Sequence, residues 1–327
     1  MIYPAFLKKD NTIGITAPSA GVGHKIEDFD KSLTYLKQQG WKIKETESVR
    51  NDDKRSTIAK GRAEELVSLF EDPDTDLVMC ATGGDFLFEI LPYIDFKEMQ
   101  KHPKFLMGAS DPTGILYPFT TLYDVATIYG CNAGSYDISP VPQFIKDNLN
   151  ILQGKNIIQY SSDKKLSKPP FLTDNQAYDT SSQWEGTVKD LHVQGRCIGG
   201  CIDVLKDLIG TRYDGTHDFI NRYKEDGFIW YFDNFSQSAE VFYRTLLQME
   251  YAGWFEHAKA IIAGRVCFPS SETGMTYEEA IHRAFKDIPV LYEADIGHTI
   301  PHMTMINGAI MDLNYHNHKA SLFFTLK

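Results

Sequence analysis

The 327-residue chain has no long hydrophobic run and a deficit of positive charge. No apolar stretch approaches the roughly 20 residues needed to span a bilayer, and the first ten residues lack the charged-then-apolar order of a secretory signal. Lys and Arg number 33 against 44 Asp and Glu, a net charge of −11, which repels phosphate backbones and anionic lipid surfaces. We therefore expect a cytoplasmic protein that binds neither nucleic acid nor membrane.

Cysteine and tryptophan are scarce, with five and four residues respectively. An odd number of cysteines scattered along so long a chain does not fit a disulfide framework, and we expect reduced thiols. The close set of His192, Cys197 and Cys201 lacks a fourth ligand at a matching interval, so buried thiols fit it better than a metal site. We therefore expect no metal and no cofactor.

Hydrophobic residues make up 43% of the sequence, which is enough for two ordinary cores. Over residues 1–150, strand-like runs alternate with helix-like stretches, a pattern typical of a parallel sheet wrapped by helices. The predicted strands lie at 11–16, 41–44, 76–81 and 104–107, and the predicted helices at 26–39, 57–71 and 113–122. This segment is predicted to be an N-terminal α/β domain.

The character of the sequence changes after this domain. Residues 151–194 are polar and poor in apolar periodicity, which predicts a connecting excursion. Residues 195–327 again mix both element types, with strands predicted at 228–232 and 259–264 and helices at 238–252 and 277–285. The predicted fold is therefore α/β, with an N-terminal parallel-sheet domain wrapped by helices, a C-terminal mixed α/β domain and an active site between them.

Ser110 is the first candidate for chemistry, because it follows a predicted strand and precedes a predicted helix. Pro112 favours the first helical position, which predicts Asp111 as the N-cap and its backbone amide as an oxyanion donor. A second donor is expected from the turn that contains Gly84 and Asp85, since glycines let backbone N–H groups approach a ligand closely. The alternative is that both are ordinary turns between strand and helix.

A nucleophilic serine needs a base, and histidine is the usual one near neutral pH. Of the ten histidines, His298 lies in a glycine-bounded turn after an apolar run, which predicts another strand end. An orienting carboxylate should also sit at a strand end, and Asp233 closes the run at 228–232. Asp295, three residues before His298, is the alternative carboxylate.

Six short motifs stand in order along the chain, at 16–19 (TAPS), 62–66 (RAEEL), 81–85 (ATGGD), 108–111 (GASD), 195–201 (GRCIGGC) and 296–299 (IGHT). Together they resemble the serine LD-carboxypeptidase family, and more closely its branch of microcin C self-immunity peptidases. Family members have a glycine-glycine turn, a GxSD nucleophile motif, a GGN turn and a histidine turn in the same order. The resemblance runs along most of the chain.

That family works with a Ser-Glu-His triad, so the resemblance implies Ser110 as nucleophile, His298 as base and a carboxylate at the end of the strand at 228–232. The family pattern has Glu followed by Asp, whereas this chain reads Asp233-Asn234. The acid is therefore one methylene shorter. Cys201 also stands where the family has Asn after the double glycine.

Trp184 is the one tryptophan in the polar excursion. In the immunity-peptidase branch an aromatic residue of this region stacks on a nucleobase, which implies that Trp184 binds substrate. The alternative is a hydrophobic anchor that holds the excursion to the core.

The sequence and the resemblance together predict a serine hydrolase in which Ser110, deprotonated by His298, attacks an amide or peptide carbonyl. The expected substrate is a small peptide or a peptidyl- or aminoacyl-nucleotide, and the expected assembly is a homodimer. One alternative is a muropeptide LD-carboxypeptidase in cell-wall recycling. Another is a non-catalytic protein that binds a small ligand and has a lapsed triad.

Overall fold

The computed structural model describes residues 1–169 and 178–327. The chain divides into two compact units. Unit 1 comprises Met1–Asn156 with Thr304–Asn307, and unit 2 comprises Ile157–Met303 with Gly308–Lys327. Within the described part of the chain, no helix combines the length and apolar character needed to cross a membrane.

Unit 1 contains a six-stranded sheet. Its strands are β1 (Thr12–Thr16), β2 (Lys42–Glu45), β3 (Leu77–Cys80), β4 (Phe105–Gly108), β5 (Thr127–Tyr129) and β14 (Met305–Asn307). They lie in the order β14-β5-β4-β3-β1-β2. The first five are parallel, and β14 pairs antiparallel with β5. Since β3 and β4 are buried at every position, their residues form near-continuous apolar runs, as expected for parallel strands covered on both faces.

Five α-helices belong to unit 1: α1 (Ile26–Gln38), α2 (Ala59–Glu71), α3 (Phe96–Lys101), α4 (Thr113–Thr121) and α5 (Gln143–Leu152). Helix α1 illustrates why they form, because Phe29, Leu33 and Leu36 recur at helical spacing and are buried. The chain leaves α1 through Gly40, whose φ of +92° suits a glycine after a helix end. The alternation predicted for residues 11–122 is confirmed, with ends shifted by a residue or two.

Unit 2 contains an eight-stranded sheet with the order β6-β16-β15-β10-β11-β12-β13-β9. The strands are β6 (Gln159–Tyr160), β9 (Glu185–Gly186), β10 (Asp190–Cys201), β11 (Phe228–Asp233), β12 (Ala258–Gly264), β13 (Val290–Ala294), β15 (Ile310–His316) and β16 (Lys319–Thr325). The four central strands, β10 to β13, are parallel, and the outer ones are antiparallel. A separate ribbon pairs β7 (Lys164–Lys165) with β8 (Thr180–Ser181).

The helices of unit 2 are α6 (Ile202–Leu208), α7 (Thr216–Tyr223), α8 (Ala239–Tyr251) and α9 (Tyr277–Ala284). Two of them begin at side-chain caps. Ser238 accepts a hydrogen bond from the Val241 amide, and Thr276 accepts one from the Glu279 amide. These hydroxyls satisfy backbone donors that the first helical turn leaves free.

The sequence predicts residues 151–194 to be a connecting excursion, but the structure places 157–169 and 178–194 in unit 2. Strands β6 and β9 form the two edges of its sheet, and β10 begins at Asp190. The prediction relied on polar composition. The first five residues of β10 alternate between exposed and half-buried positions. Such a strand needs few apolar residues, since cross-strand hydrogen bonds to β15 hold it.

A buried ion pair between Arg265 and Asp295 holds the loop after β13. Both side chains are 2% exposed, and the guanidinium of Arg265 donates to Oδ1 of Asp295 and to the Pro301 carbonyl. The other oxygen of Asp295 accepts from the Ser162 amide at 2.8 Å and from Nε1 of Trp184 at 2.9 Å. The pair therefore fixes both ends of residues 295–301.

We expect Asp295→Ala to destabilise the protein by about 3–5 kcal/mol, because it leaves the Arg265 guanidinium buried without its counter-charge. Asp190→Ala is the matched control, since Asp190 pairs with His316 at the surface, where the two side chains are 66% and 69% exposed. The free energy of unfolding in urea, followed by tryptophan fluorescence, measures both changes. Equal losses in the two variants would contradict a structural role for the buried pair.

Candidate active site

Ser110 lies in a tight turn between β4 and α4. Its φ is +71°, a left-handed conformation that is uncommon for residues other than glycine. The Thr113 amide donates to the Ser110 carbonyl at 2.9 Å, and the Ser110 amide donates to the hydroxyl of Tyr129 at 3.0 Å. The side chain is half-buried. A strained serine held between a parallel strand and a helix is the arrangement that presents a nucleophilic hydroxyl in other hydrolases.

Asp111 follows Ser110 in the turn after β4, and its side chain does not take the position that the sequence predicts. The sequence predicts that it caps α4, but the carboxylate accepts a hydrogen bond from the hydroxyl of Ser19 and another, at 3.0 Å, from the Leu87 amide. Burial raises the pKa of Asp111 to about 6, although the bonds from Ser19 and Leu87 oppose this rise. Asp111 thus ties the loops after β1, β3 and β4 together.

The glycine turn at 83–84 lies against the same serine. A Cβ added to Gly83 would stand 3.0 Å from Cβ and 3.1 Å from Oγ of Ser110, and one added to Gly84 would collide with the hydroxyl of Ser19. Only glycine fits such an approach. Gly84 and Asp85 are exposed, so their backbone amides lie at the accessible edge of a turn that packs beside Ser110. The structure thus brings Ser110, Asp111 and this turn together within unit 1.

Arg62 supports these loops and was not predicted from the sequence. Its side chain is fully buried, and Nη1 donates to the carbonyls of Pro18, Ser19 and Phe86 at 3.0 to 3.1 Å. Nη2 donates to Glu89 at 2.6 Å. A signal was present, because Arg62 occupies a position on the apolar face of α2, four residues before the buried Leu66. A charged residue on that face indicates a buried partner.

The other candidate residues belong to unit 2. Asp233 is the last residue of β11 and is fully buried, with Oδ2 lying 2.7 Å from Nδ1 of His298. Its Oδ1 accepts from the backbone amide of His298 at 3.2 Å. Gly297 has a φ of +98°, and a Cβ there would overlap the Asp233 carboxylate. The turn can approach the shorter acid because Gly297 has no side chain.

The protonation of His298 follows from this pair. Burial lowers the pKa of the imidazole, but the Asp233 carboxylate outweighs that effect, and the pKa lies above its ordinary value. His302, four residues further on, differs because burial lowers its pKa to about 4. Asp295, the alternative carboxylate, pairs with Arg265 instead. Of the two carboxylates considered, Asp233 is therefore the one beside His298.

Trp184 is fully buried, and its indole donates to Asp295. Full burial fits a hydrophobic anchor that holds this segment to the core. A role of Trp184 in binding substrate stays a prediction. His192, weighed as a metal ligand, is exposed and lies 3.0 Å from Asp312. Across 1–169 and 178–327, no group of three His, Cys, Asp or Glu residues could hold a metal ion.

Comparison with known proteins places these residues in a family. The LD-carboxypeptidase N-terminal domain matches residues 13–130, and the LD-carboxypeptidase C-terminal domain matches residues 194–313. A protein of Vibrio cholerae that is provisionally named a carboxypeptidase is 28% identical and covers 98% of both chains. The microcin C7 self-immunity protein MccF of Escherichia coli is 25% identical over 98% of this chain and 95% of its own.

Solved structures agree on the fold. MccF in complex with aspartyl sulfamoyl adenosine superposes with a TM-score of 0.84 at 23% identity, over 100% of both chains. Muramoyltetrapeptide carboxypeptidase from Oxalobacter formigenes superposes with a TM-score of 0.76 at 20% identity, over 96% of this chain and 98% of its own. The two-domain α/β prediction and the resemblance seen in the ordered motifs are both confirmed. The chain belongs to the LD-carboxypeptidase family of peptidases.

Proposed function

We propose that this peptidase uses Ser110 as nucleophile, His298 as general base and Asp233 as the acid that orients the base. The observation that carries the proposal is the 2.7 Å approach of Asp233 Oδ2 to His298 Nδ1. A carboxylate at Nδ1 selects the tautomer whose Nε2 is free to accept a proton. The strained turn at Ser110 is the complementary feature of unit 1.

In this mechanism Nε2 of His298 takes the proton of the Ser110 hydroxyl as Oγ attacks the carbonyl carbon of an amide. The backbone amides of Asp111 and of the turn at Gly84 and Asp85 donate to the resulting oxyanion. The imidazolium then gives its proton to the leaving amine, and an acyl-enzyme remains. Water, deprotonated by the same imidazole, attacks the ester and regenerates the serine.

The proposed substrate is the amide of a peptidyl- or aminoacyl-nucleotide. The support is the likeness over the full length to MccF, which has been solved with aspartyl sulfamoyl adenosine. A muropeptide is the second candidate, supported by the fold of the muramoyltetrapeptide carboxypeptidase. The paired His298 and Asp233 favour a catalytic role over a non-catalytic binding protein, because the carboxylate at Nδ1 has the arrangement that orients a general base. A homodimer and a cytoplasmic location remain predictions.

The first test is Ser110→Ala, assayed beside wild type on an aminoacyl-sulfamoyl-adenosine and on a muropeptide tetrapeptide. We expect turnover of the accepted substrate to fall at least about 10³-fold, because no other hydroxyl occupies the strained turn. The variant should fold normally, since a half-buried hydroxyl contributes little packing.

Ser68→Ala is the matched control for this test, because Ser68 is an exposed serine of the same unit. It should hydrolyse like wild type. Undiminished turnover in Ser110→Ala would remove Ser110 from the mechanism. Hydrolysis of the muropeptide alone would replace the proposed substrate class but keep the mechanism.

The second test concerns the acid and the base. Asp233→Asn keeps the shape but removes the charge that stabilises imidazolium, so we expect kcat to fall by up to about 10⁴-fold. Asp233→Glu should also lose activity, because the turn at Gly297 approaches the Asp233 carboxylate so closely that an added methylene has little room. Steady-state kinetics measure both changes.

His298→Ala should be as inactive as Asp233→Asn, whereas His302→Ala should retain more activity because His302 is uncharged near neutral pH. If Asp233→Asn keeps wild-type turnover while Ser110→Ala is inactive, the orienting acid is another residue. Equal losses at His298 and His302 in folded protein would argue against the proposed base.

A further inference from the structure

Asp203 stands in the first turn of α6, immediately after β10, and binds a loop about thirty residues away. Its Oδ2 accepts from the Phe235 amide at 2.9 Å. Its Oδ1 accepts from the amide of Ser236 at 3.1 Å and from the hydroxyl of the same residue at 3.2 Å. Three donors from two consecutive residues make this carboxylate the clamp of the loop that leaves β11.

The clamped loop carries a side chain that touches the base. The ring of Phe235 lies 4.5 Å from the imidazole of His298, measured between centroids, at an angle of 46°. Phe235 follows Asp233 by two residues, so the acid and the ring leave the same strand end. Asp233 is the last residue of β11, whereas Phe235 lies beyond the end of that strand. Its position depends on the bonds of the loop: Asp203 accepts from the Phe235 amide, and the Phe268 amide donates to the Phe235 carbonyl at 2.9 Å.

The charge of Asp203 also reaches the imidazole. Two carboxylates raise the pKa of His298, Asp233 strongly and Asp203 to a smaller extent, while burial lowers it. Asp203 belongs to α6 and Asp233 to β11, so the two charges come from different elements. Both charges favour the imidazolium, since opposite charges stabilise the protonated form.

Other titratable groups near His298 add little positive charge at neutral pH. Burial lowers the pKa of His302 to about 4. Burial raises the pKa of Cys267 to about 12 and raises that of Cys201 well above its ordinary value, so both thiols are neutral. Arg265 is positive, but it pairs directly with Asp295.

We propose that Asp203 is a positioning residue for the base: it holds the loop that places the Phe235 ring against the imidazole of His298. The inference rests on the proposed role of His298 in catalysis. It goes beyond the triad, because Asp203 makes no contact with a reacting atom and acts through a loop and through charge. The substrate need not be known to test it.

The decisive experiment is an NMR titration of the His298 imidazole in wild type and in Asp203→Asn, with the resonance assigned by its loss in His298→Gln. We expect the pKa of His298 to be lower in Asp203→Asn than in wild type, and contacts between the Phe235 ring and the imidazole to weaken. Asp207→Asn is the matched control. It removes the same charge from the same helix, but that side chain is 55% exposed and lies beside Lys206. It should leave the pKa of His298 unchanged.

Identical His298 titrations in wild type and in folded Asp203→Asn would overturn the proposal. Equal lowering by Asp203→Asn and Asp207→Asn would also overturn it, because the effect would then be one of net charge. If Asp203→Asn fails to fold, Ser236→Ala replaces it. That variant removes one of the three donors but no charge, and it should weaken the contact between the rings while the pKa of His298 stays high. An unchanged ring contact would refute the clamp.

Where turnover is measurable, the acidic limb of kcat/KM in Asp203→Asn should move to lower pH, because a base of lower pKa is unprotonated over a wider range. We expect kcat to fall roughly tenfold with little change in KM. If wild type hydrolyses neither substrate class, the proposed function fails. The titration still decides the role of Asp203.

Discussion

The fully buried carboxylate of Asp233 is the constraint on which the turn that carries His298 depends. A buried charge needs partners, and one residue approaches the Asp233 carboxylate twice: the backbone amide of His298 donates to Oδ1, and Nδ1 of its imidazole lies 2.7 Å from Oδ2. This double contact is available because Gly297 leaves free the space that any Cβ would fill. The acid therefore sets the position of the backbone as well as the protonation of the side chain. Asp233 and Gly297 act as one unit, and neither can be understood from its own position in the sequence.

Buried carboxylates perform the same task elsewhere in the two units. The Asp111 carboxylate accepts hydrogen bonds from the Leu87 amide and the Ser19 hydroxyl, which holds both residues beside the turn of Ser110. Asp295 binds Arg265, whose guanidinium also reaches the carbonyl of Pro301. In each case a carboxylate placed at or just after a strand end fixes a loop to which it is not adjacent in sequence. The cost of burying these charges is offset by directed donors, and the loops gain fixed geometry. That geometry can maintain an unfavourable backbone conformation such as that of Ser110.

The sequence predicted the elements that depend on local periodicity and the turns that follow them. Parallel strands align their carboxyl ends, so residues that follow strands, such as Ser110 and Asp233, could be selected as candidates without a structure. The features that the sequence did not predict depend on contacts between residues that are far apart in the chain. The polar first half of β10 is a strand because β15 lies beside it, and its composition gives no indication of that partner. Arg62 and Asp203 were missed for a related reason, since their importance lies in loops far away in sequence that accept or donate their hydrogen bonds.

Under the proposed mechanism, the opposing effects on His298 explain how a shorter acid can serve on this scaffold. A general base works best when its pKa lies near the working pH, because a weaker base removes the proton poorly and a stronger one is already protonated. Burial alone would weaken His298 as a base, and a close carboxylate alone would strengthen it. In this structure both effects act on the pKa of His298: burial lowers it, and the two carboxylates raise it, Asp233 more than Asp203. The reach of the acid is therefore only one of the quantities that set the strength of the base. The approach of the Gly297 turn and the presence of a second carboxylate are others, and changes in them can compensate for a missing methylene.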